Sequence, residues 1–437
     1  MRLWELGEEG FEEARVDRIF NRRLPARQPA GVVRPRTEDE VAAAVRLAAE
    51  RGWQVAVRSG GHSWAQWSVR DDALTIDLGL MREMTYDEAT GVATASPAVR
   101  GGSDLAPFLA ERGRFFVGGH CPTVGIGGFL LQGGQGWNAR GWGWAAEHVV
   151  AVDVVTAAGE LVRADATQNA DLYWAARGAG PGFPGVVTRF HLATRPLPAH
   201  FAHTVQGFAL DDFDEVMTWL QEMHGSVEDT VEIVAITKTD PSLSPTPVLL
   251  VTAVAMVDDE AAAERALKPF RSNPALERAL LVVDNEPTTM EKERARQLED
   301  NAENHRWAVD NAWLSGSAAE VVPAIRRAFT TLPNPKAYTI WFSMAPLRAL
   351  PDMAFSVQSE IYLAAYVPWE DAAEDRRHQD WLKAAIADLE PVTVGQYVGD
   401  SDLRRRPHRI LSEDAWERLQ QVIADRDPDG RFVGYLT

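Results

Sequence analysis

Two glycine-dense turns constrain this 437-residue chain more than any other feature. One reads Gly-Gly-His-Cys-Pro-Thr-Val-Gly-Ile-Gly-Gly over residues 118–128 and contains the chain's single cysteine, Cys121. The other reads Arg58-Ser59-Gly60-Gly61-His62-Ser63. Lacking Cβ atoms, such turns let main-chain N–H groups close around an anionic group. Each also carries one nucleophilic side chain, His62 or Cys121, of a kind that bonds to a cofactor.

The residues before each turn follow one grammar. Thr37 with Glu40 three residues on is a capping box, and Val41, Val45 and Ala48 recur at helical spacing until Gly52 ends the helix. Residues 53–58 then read as a strand that delivers the chain into the first turn. A helix over 103–112 and a short strand over 115–117 lead into the second. This succession suits a cofactor-binding α/β unit. A third glycine-rich loop contains Gly180, Gly182 and Gly185 as Gly-x-Gly-x-x-Gly. Pro181 and Pro184 interrupt it and a β-branched strand follows, whereas a nicotinamide-dinucleotide fingerprint opens a helix.

Beyond residue 200 glycine becomes rare. Strands are predicted over 205–210, 231–237, 248–256, 280–283, 338–344 and 360–367. Helices are predicted over 212–224, 259–271, 290–304, 318–332 and 370–389. The pattern implies a sheet covered by helices, without a phosphate-cradling loop of its own. A short strand over 394–397 and a helix over 412–425 follow.

Composition narrows the partners. The chain has 44 basic against 63 acidic residues, a net charge of -19, which repels phosphate backbones and argues against nucleic acid. No apolar run approaches bilayer length and the leader mixes acidic and basic residues, so a cytoplasmic protein without membrane span or secretory signal is expected. One cysteine excludes internal disulfides and a cysteine-based zinc site, and His120 beside it lacks partners for a tetrahedral metal centre. The fifteen tryptophans read as packing residues. Oligomeric state is left open.

The pattern Arg58-Ser-Gly-Gly-His62-Ser, then Gly-Gly-His-Cys121-Pro-Thr-Val-Gly-Ile-Gly-Gly, then Gly133-Gly-Gln-Gly136 and Arg140, closely resembles the berberine-bridge-enzyme-like branch of the vanillyl-alcohol-oxidase flavoproteins. The likeness runs from about Val32 through Gly185-Val-Val-Thr188 to Pro196 and resumes at Asp427-Pro-Asp-Gly-Arg-Phe432. It implies an α+β protein: a PCMH-type FAD-binding domain of two α/β subdomains (residues 1–197), a substrate domain with an antiparallel sheet backed by helices (198–392), and a C-terminal segment completing the first domain (393–437).

By the same resemblance, FAD is attached twice, through His62 to the flavin 8α-methyl group and through Cys121 to C6. Arg58, Ser59, Gly60, Gly61 and Ser63 on the first turn, and Gly119, Pro122, Thr123, Gly125, Gly127 and Gly128 on the second, would border the cofactor together with Gly185 and Val187. Gly119 matches the position where a small residue leaves oxygen access to the flavin. The implied reaction is oxidation of an alcohol or sugar hemiacetal, by proton removal from O–H and hydride transfer to flavin N5, with O2 reduced to hydrogen peroxide. The base is where the chain departs from its relatives: many carry Tyr-x-Asn-Tyr near the C-terminus, and here Gln396-Tyr397-Val-Gly-Asp400 stands instead. Tyr362 and Tyr397 are the leading candidates, followed by Glu360, which strand alternation places with Tyr362 and Tyr366. Oxidation of an amine or secondary-metabolite scaffold in the same fold, and flavin binding without catalysis, are the alternatives.

Overall fold

The apolar alternation before the first glycine turn produces a small sheet. The computed structural model describes residues 1–436. Gly31–Val33 and Gln54–Arg58 each run parallel to Ala73–Asp77 between them, and Leu3–Glu5 adds an antiparallel edge. The helix Glu38–Arg51 connects two of these strands and buries Val41, Val45 and Ala48 against them. Thr37 caps it by accepting from the Glu40 N–H. Half of the expected capping box is redirected, because the Glu40 carboxylate accepts from the Arg36 N–H.

A second sheet is antiparallel and has five strands, in the spatial order Met84–Asp87, Val92–Ala95, Val186–Ala193, Val149–Val155 and Leu161–Asp165. The third glycine-rich loop leads into its central strand as a short 3-10 turn over Gly180–Gly182. The β-branched strand Val186–Ala193, not a helix, follows that loop.

The largest sheet has eight antiparallel strands, in the order Leu281–Pro287, His200–Ala209, Val248–Val257, Val231–Lys238, Tyr338–Ser343, Ile361–Trp369, Arg306–Leu314 and Thr393–Gly395. One face buries Ile233, Val251, Trp341 and Leu363 beneath the helices Phe213–Met223, Glu260–Leu267, Ala318–Thr330 and Asp375–Ala387. Phe213, Phe270 and Phe329 are fully buried on that side, each contributing about 1.5–3 kcal/mol of hydrophobic stabilisation. Alternate residues point to the opposite face, which looks toward the glycine turns.

Arg306–Leu314 is a strand that sequence reading did not identify. It pairs along its length with Ile361–Trp369, yet has Asp310 and Asn311 at its centre. Their charge and amide are satisfied from the C-terminal segment. Arg406 and Gln396 donate to Asp310, and Asn311 exchanges hydrogen bonds with the main chain of Tyr397. The end of the chain returns to the first sheet, where Val55 N–H donates to Arg431 O at 2.7 Å and Val433 N–H to Val55 O at 3.0 Å. No helix among the described residues is long and apolar enough to cross a membrane.

Candidate active site

The two glycine turns pack main chain against main chain. A Cβ on Gly60 would lie 2.5 Å from Gly125 N, and one on Gly127 would lie 2.8 Å from Ser59 Oγ. Only glycine permits that approach, so the two motifs form one structure. Ser59 completes the junction by accepting from Gly128 N–H at 3.2 Å. The N–H groups of Gly60, Gly61, His62 and Ser63 bond to no described residue. They border a cavity of about 620 Å³ that extends from Phe432 and Val433 past both turns to the face of the large sheet.

His62 and Cys121 both line this cavity. Thr123 Oγ1 stands between them, 3.3 Å from His62 Nε2 and 3.5 Å from Cys121 Sγ. Burial lowers His62 to a pKa of about 4, against a smaller opposing hydrogen bond to the Thr123 main chain, so its ring is neutral at neutral pH. Burial pushes the Cys121 thiol up, with the Thr123 hydroxyl opposing. Phe20 stacks on the imidazole, ring centroids 4.4 Å apart and planes 20° from parallel. Gly119, Gly185 and Val187 also border the cavity.

Three residues expected at the cofactor sit differently: Arg58 lines the cavity but turns its guanidinium elsewhere, and Pro122 and Thr123 lie outside the lining. Arg58 is 2% exposed and directs its guanidinium away from the turn, donating to Arg15 O at 2.6 Å and Ala14 O at 2.8 Å. With Asp77 facing its Nε at 3.5 Å, its positive charge is committed to anchoring the leader helix Phe11–Val16. Pro122 lies behind its turn against Gly102, outside the cavity lining.

The opposite wall comes from the large sheet by strict alternation: Glu232, Val234, Ile236 and Lys238 on one strand, Leu250, Thr252 and Val254 on the next, then Tyr338, Ile340 and Phe342. Tyr362 and Tyr366 continue the row, and both donate their hydroxyl protons to Asp400 Oδ2, at 2.6 and 2.9 Å. Trp64 Nε1–H donates to Asp400 Oδ1 at 2.8 Å. Burial and then the Asp400 charge push both phenols well above their ordinary pKa, so they are proton donors at neutral pH. Tyr397 is also pushed up, by burial first, and its hydroxyl oxygen accepts from the N–H groups of Gly134 and Gln135 at 3.3 and 3.4 Å. Glu360 does not join the row: it precedes the strand Ile361–Trp369, is exposed, and lies outside the cavity lining.

Sequence reading singled out none of the five carboxylates that line the cavity, Glu232, Glu286, Glu293, Asp300 and Asp400, and two of them bear directly on the site. Asp400 ends the Gln396-Tyr397-Val-Gly-Asp400 stretch that stands instead of Tyr-x-Asn-Tyr. Glu232 is the one acidic residue in the strand Val231–Lys238, at an inward position beside Val234 and Ile236. His120 Nε2 is 3.0 Å from both of its oxygens, and Asn138 N–H donates to it at 2.7 Å. Nearby Arg140, 4% exposed, fixes the glycine-rich segment to residues 224–231 and Ala345, beside the large sheet, by donating to the carbonyls of Ala345, Glu228, Val231, Val227 and His224.

Comparison with known proteins fits this architecture. A family model described as an FAD binding domain matches residues 29–165. FAD-linked oxidoreductase janO of Penicillium janthinellum is 38% identical over 429 residues, covering 97% of this chain and 94% of that protein. Among solved structures, 6-hydroxy-D-nicotine oxidase from Arthrobacter nicotinovorans superposes with a TM-score of 0.86 at 22% identity, covering 99% of this chain and 96% of the other. Glucooligosaccharide oxidase from Acremonium strictum, whose FAD is described as 6-S-cysteinyl, 8α-N1-histidyl, superposes with a TM-score of 0.83 at 20% identity, covering 100% and 96%. This chain belongs to the FAD-linked oxidoreductases, and it has the fold of a berberine-bridge-enzyme-like flavoprotein.

Proposed function

We propose that the protein is an oxidase whose FAD is attached through both His62 and Cys121, and that it oxidises an alcohol carried on a largely apolar framework. The observation that carries this reading is the convergence of His62 and Cys121 on one cavity, with a single hydroxyl between them. The residues present suit FAD. Unpartnered N–H groups of Gly60, Gly61, His62 and Ser63 supply donors for a pyrophosphate, in a cradle that a Cβ at Gly60 or Gly127 would close. Gln135 Nε2 and Trp137 Nε1 are buried donors without a described partner, both in the cavity lining. When bound, FAD would supply the acceptor for the hydride and the route for the electron pair to O2, with hydrogen peroxide as the product.

The chain's own part is to hold the substrate and move its proton. Asp400 is the proton acceptor in this reading. Trp64, Tyr362 and Tyr366 fix the orientation of its carboxylate through three hydrogen bonds and remain protonated while doing so. The carboxylate takes the proton of the substrate O–H as the hydride leaves the adjacent carbon. Tyr397 braces the glycine segment at Gly134 and Gln135. Gly119 keeps a space beside Phe129 through which O2 reaches the site, since a Cβ there would lie 3.1 Å from the Phe129 ring.

Substrate class follows from the wall. Val234, Ile236, Leu250, Val254, Ile340 and Phe342 offer no hydrogen bonds to a ring of hydroxyls, whereas they bury an apolar body well. Oxidation of a sugar hemiacetal is the second reading, favoured by the polar end of the cavity at Lys238, Arg296, Gln297 and Asp300 and by the name of the Acremonium enzyme. A screen of apolar alcohols against oligosaccharides, coupled to peroxide detection, separates the two. Turnover of oligosaccharides alone overturns the apolar assignment. Failure of every compound to reduce the flavin without oxygen overturns the oxidase reading.

A further inference from the structure

Two side chains that bond to one flavin need not touch each other, yet here a third residue joins them. Thr123 Oγ1 lies within 3.3 Å of His62 Nε2 and 3.5 Å of Cys121 Sγ. Its position is fixed from two sides. It is two residues along the same turn from Cys121, a turn closed by Val124 N–H on Cys121 O, and the Pro122 carbonyl is held by Ser103 N–H at 3.0 Å. His62 is held just as firmly, by Phe20 across the ring face and by Phe20 N–H on Gly61 O at 3.0 Å.

An imidazole has two nitrogens, and the neutral ring carries one proton. Nucleophilic attack needs a lone pair on the nitrogen that meets carbon, so the proton must sit on the other. If the hydroxyl oxygen at Nε2 accepts N–H from that nitrogen, the lone pair is left on Nδ1. The hydroxyl's own hydrogen then turns to Cys121 Sγ. The charges that act on this group are Arg18, which disfavours a proton on His62, and Glu303, which disfavours the Cys121 thiolate.

We propose that Thr123 is a positioning residue for flavin attachment: its hydroxyl accepts from Nε2–H and so sets the His62 tautomer that makes Nδ1 the nucleophile. The proposal rests on the double-attachment reading. In the step, Nδ1 bonds to the 8α carbon as one 8α hydrogen leaves as a proton, and the Nε2 proton is released to solvent. The electron pair freed passes to the flavin and from it to O2, which with the two protons becomes hydrogen peroxide. Afterwards Nε2 has a lone pair and accepts from the Thr123 hydroxyl, so the same contact holds the finished link.

The test compares the parent with Thr123→Val and Thr123→Ser. Each purified protein is incubated with FAD in air and sampled over time. Acid precipitation gives total covalent flavin, and peptide masses report the His62 and Cys121 links separately. Thr123→Ser is expected to form both links as the parent does. Thr123→Val, isosteric but without the hydroxyl, is expected to form the Cys121 link while forming the His62 link at least about tenfold more slowly, a barrier increase of about 1.4 kcal/mol. Formation of the His62 link in Thr123→Val at the parental rate overturns the proposal. If Thr123→Val fails to retain FAD, Thr123→Ala and Thr123→Ser are compared in the same way, and equal His62 linkage in those two overturns it. A parent protein that releases all its flavin on acid treatment refutes the double-attachment reading itself, a result distinct from either.

Discussion

Replacing Asp400 with asparagine tests the assignment of the base. The carboxylate accepts three hydrogen bonds, from Trp64 Nε1–H at 2.8 Å and from the Tyr362 and Tyr366 hydroxyls at 2.6 and 2.9 Å. Asparagine keeps one acceptor oxygen. If that oxygen serves the two tyrosines, its NH2 group faces the tryptophan N–H; the reverse orientation confronts both phenols. At least one buried donor is left unpaired, which costs about 1–3 kcal/mol of stability. The chemical cost is larger. Loss of a positioned general base lowers the rate by about 10²–10⁴, a barrier increase of about 2.7–5.4 kcal/mol. The assay is flavin reduction in an anaerobic stopped-flow instrument, with the alcohol found in the peroxide screen. The expected result is a fall of that size with unchanged covalent flavin content. Tyr362→Phe, which removes one of three supports, is expected to slow reduction by about tenfold only. Reduction of Asp400→Asn within about tenfold of the parent refutes the assignment, and a greater loss in Tyr362→Phe than in Asp400→Asn returns the base role to the tyrosine.

Cys121→Ala is expected to keep one covalent link, through His62, and to show an altered flavin absorption spectrum; a variant with no covalent flavin contradicts independent attachment. Gly119→Val is expected to slow reoxidation by O2 and to spare anaerobic reduction, because its side chain meets the Phe129 ring from a Cβ already 3.1 Å away. Equal oxygen reactivity in that variant refutes the gate. Arg140→Ala removes a buried guanidinium shared among five carbonyl groups. It is expected to destabilise the fold by about 3 kcal/mol or more, read from the midpoint of urea denaturation, and an unchanged midpoint contradicts the clamp role.

The parts of the fold written in local pattern were legible beforehand. Glycine spacing identified the two turns because close main-chain approach permits no other residue, as Gly60 and Gly125 show. Strands rich in β-branched and apolar residues, such as Val231–Lys238 and Val248–Val257, were also readable. Arg306–Leu314 was not, since Asp310 and Asn311 contradict a buried strand until Arg406 and Gln396 arrive from about ninety residues away. The same limit governs the site. Arg58 in a glycine turn suggested charge for a phosphate, but Asp77 and two carbonyl groups of the leader claim it. Asp400 gained its meaning from Trp64, Tyr362 and Tyr366, partners supplied by two other parts of the chain. Glu232 likewise depended on His120 across the cavity.

The most direct test of a doubly attached flavin needs no substrate. The purified protein is precipitated with acid, the pellet and supernatant are assayed for flavin, and the pellet is digested for peptide masses. The expected result is flavin retained in the pellet, with the peptides containing His62 and Cys121 joined through a single FAD. Complete release of flavin into the supernatant contradicts the account.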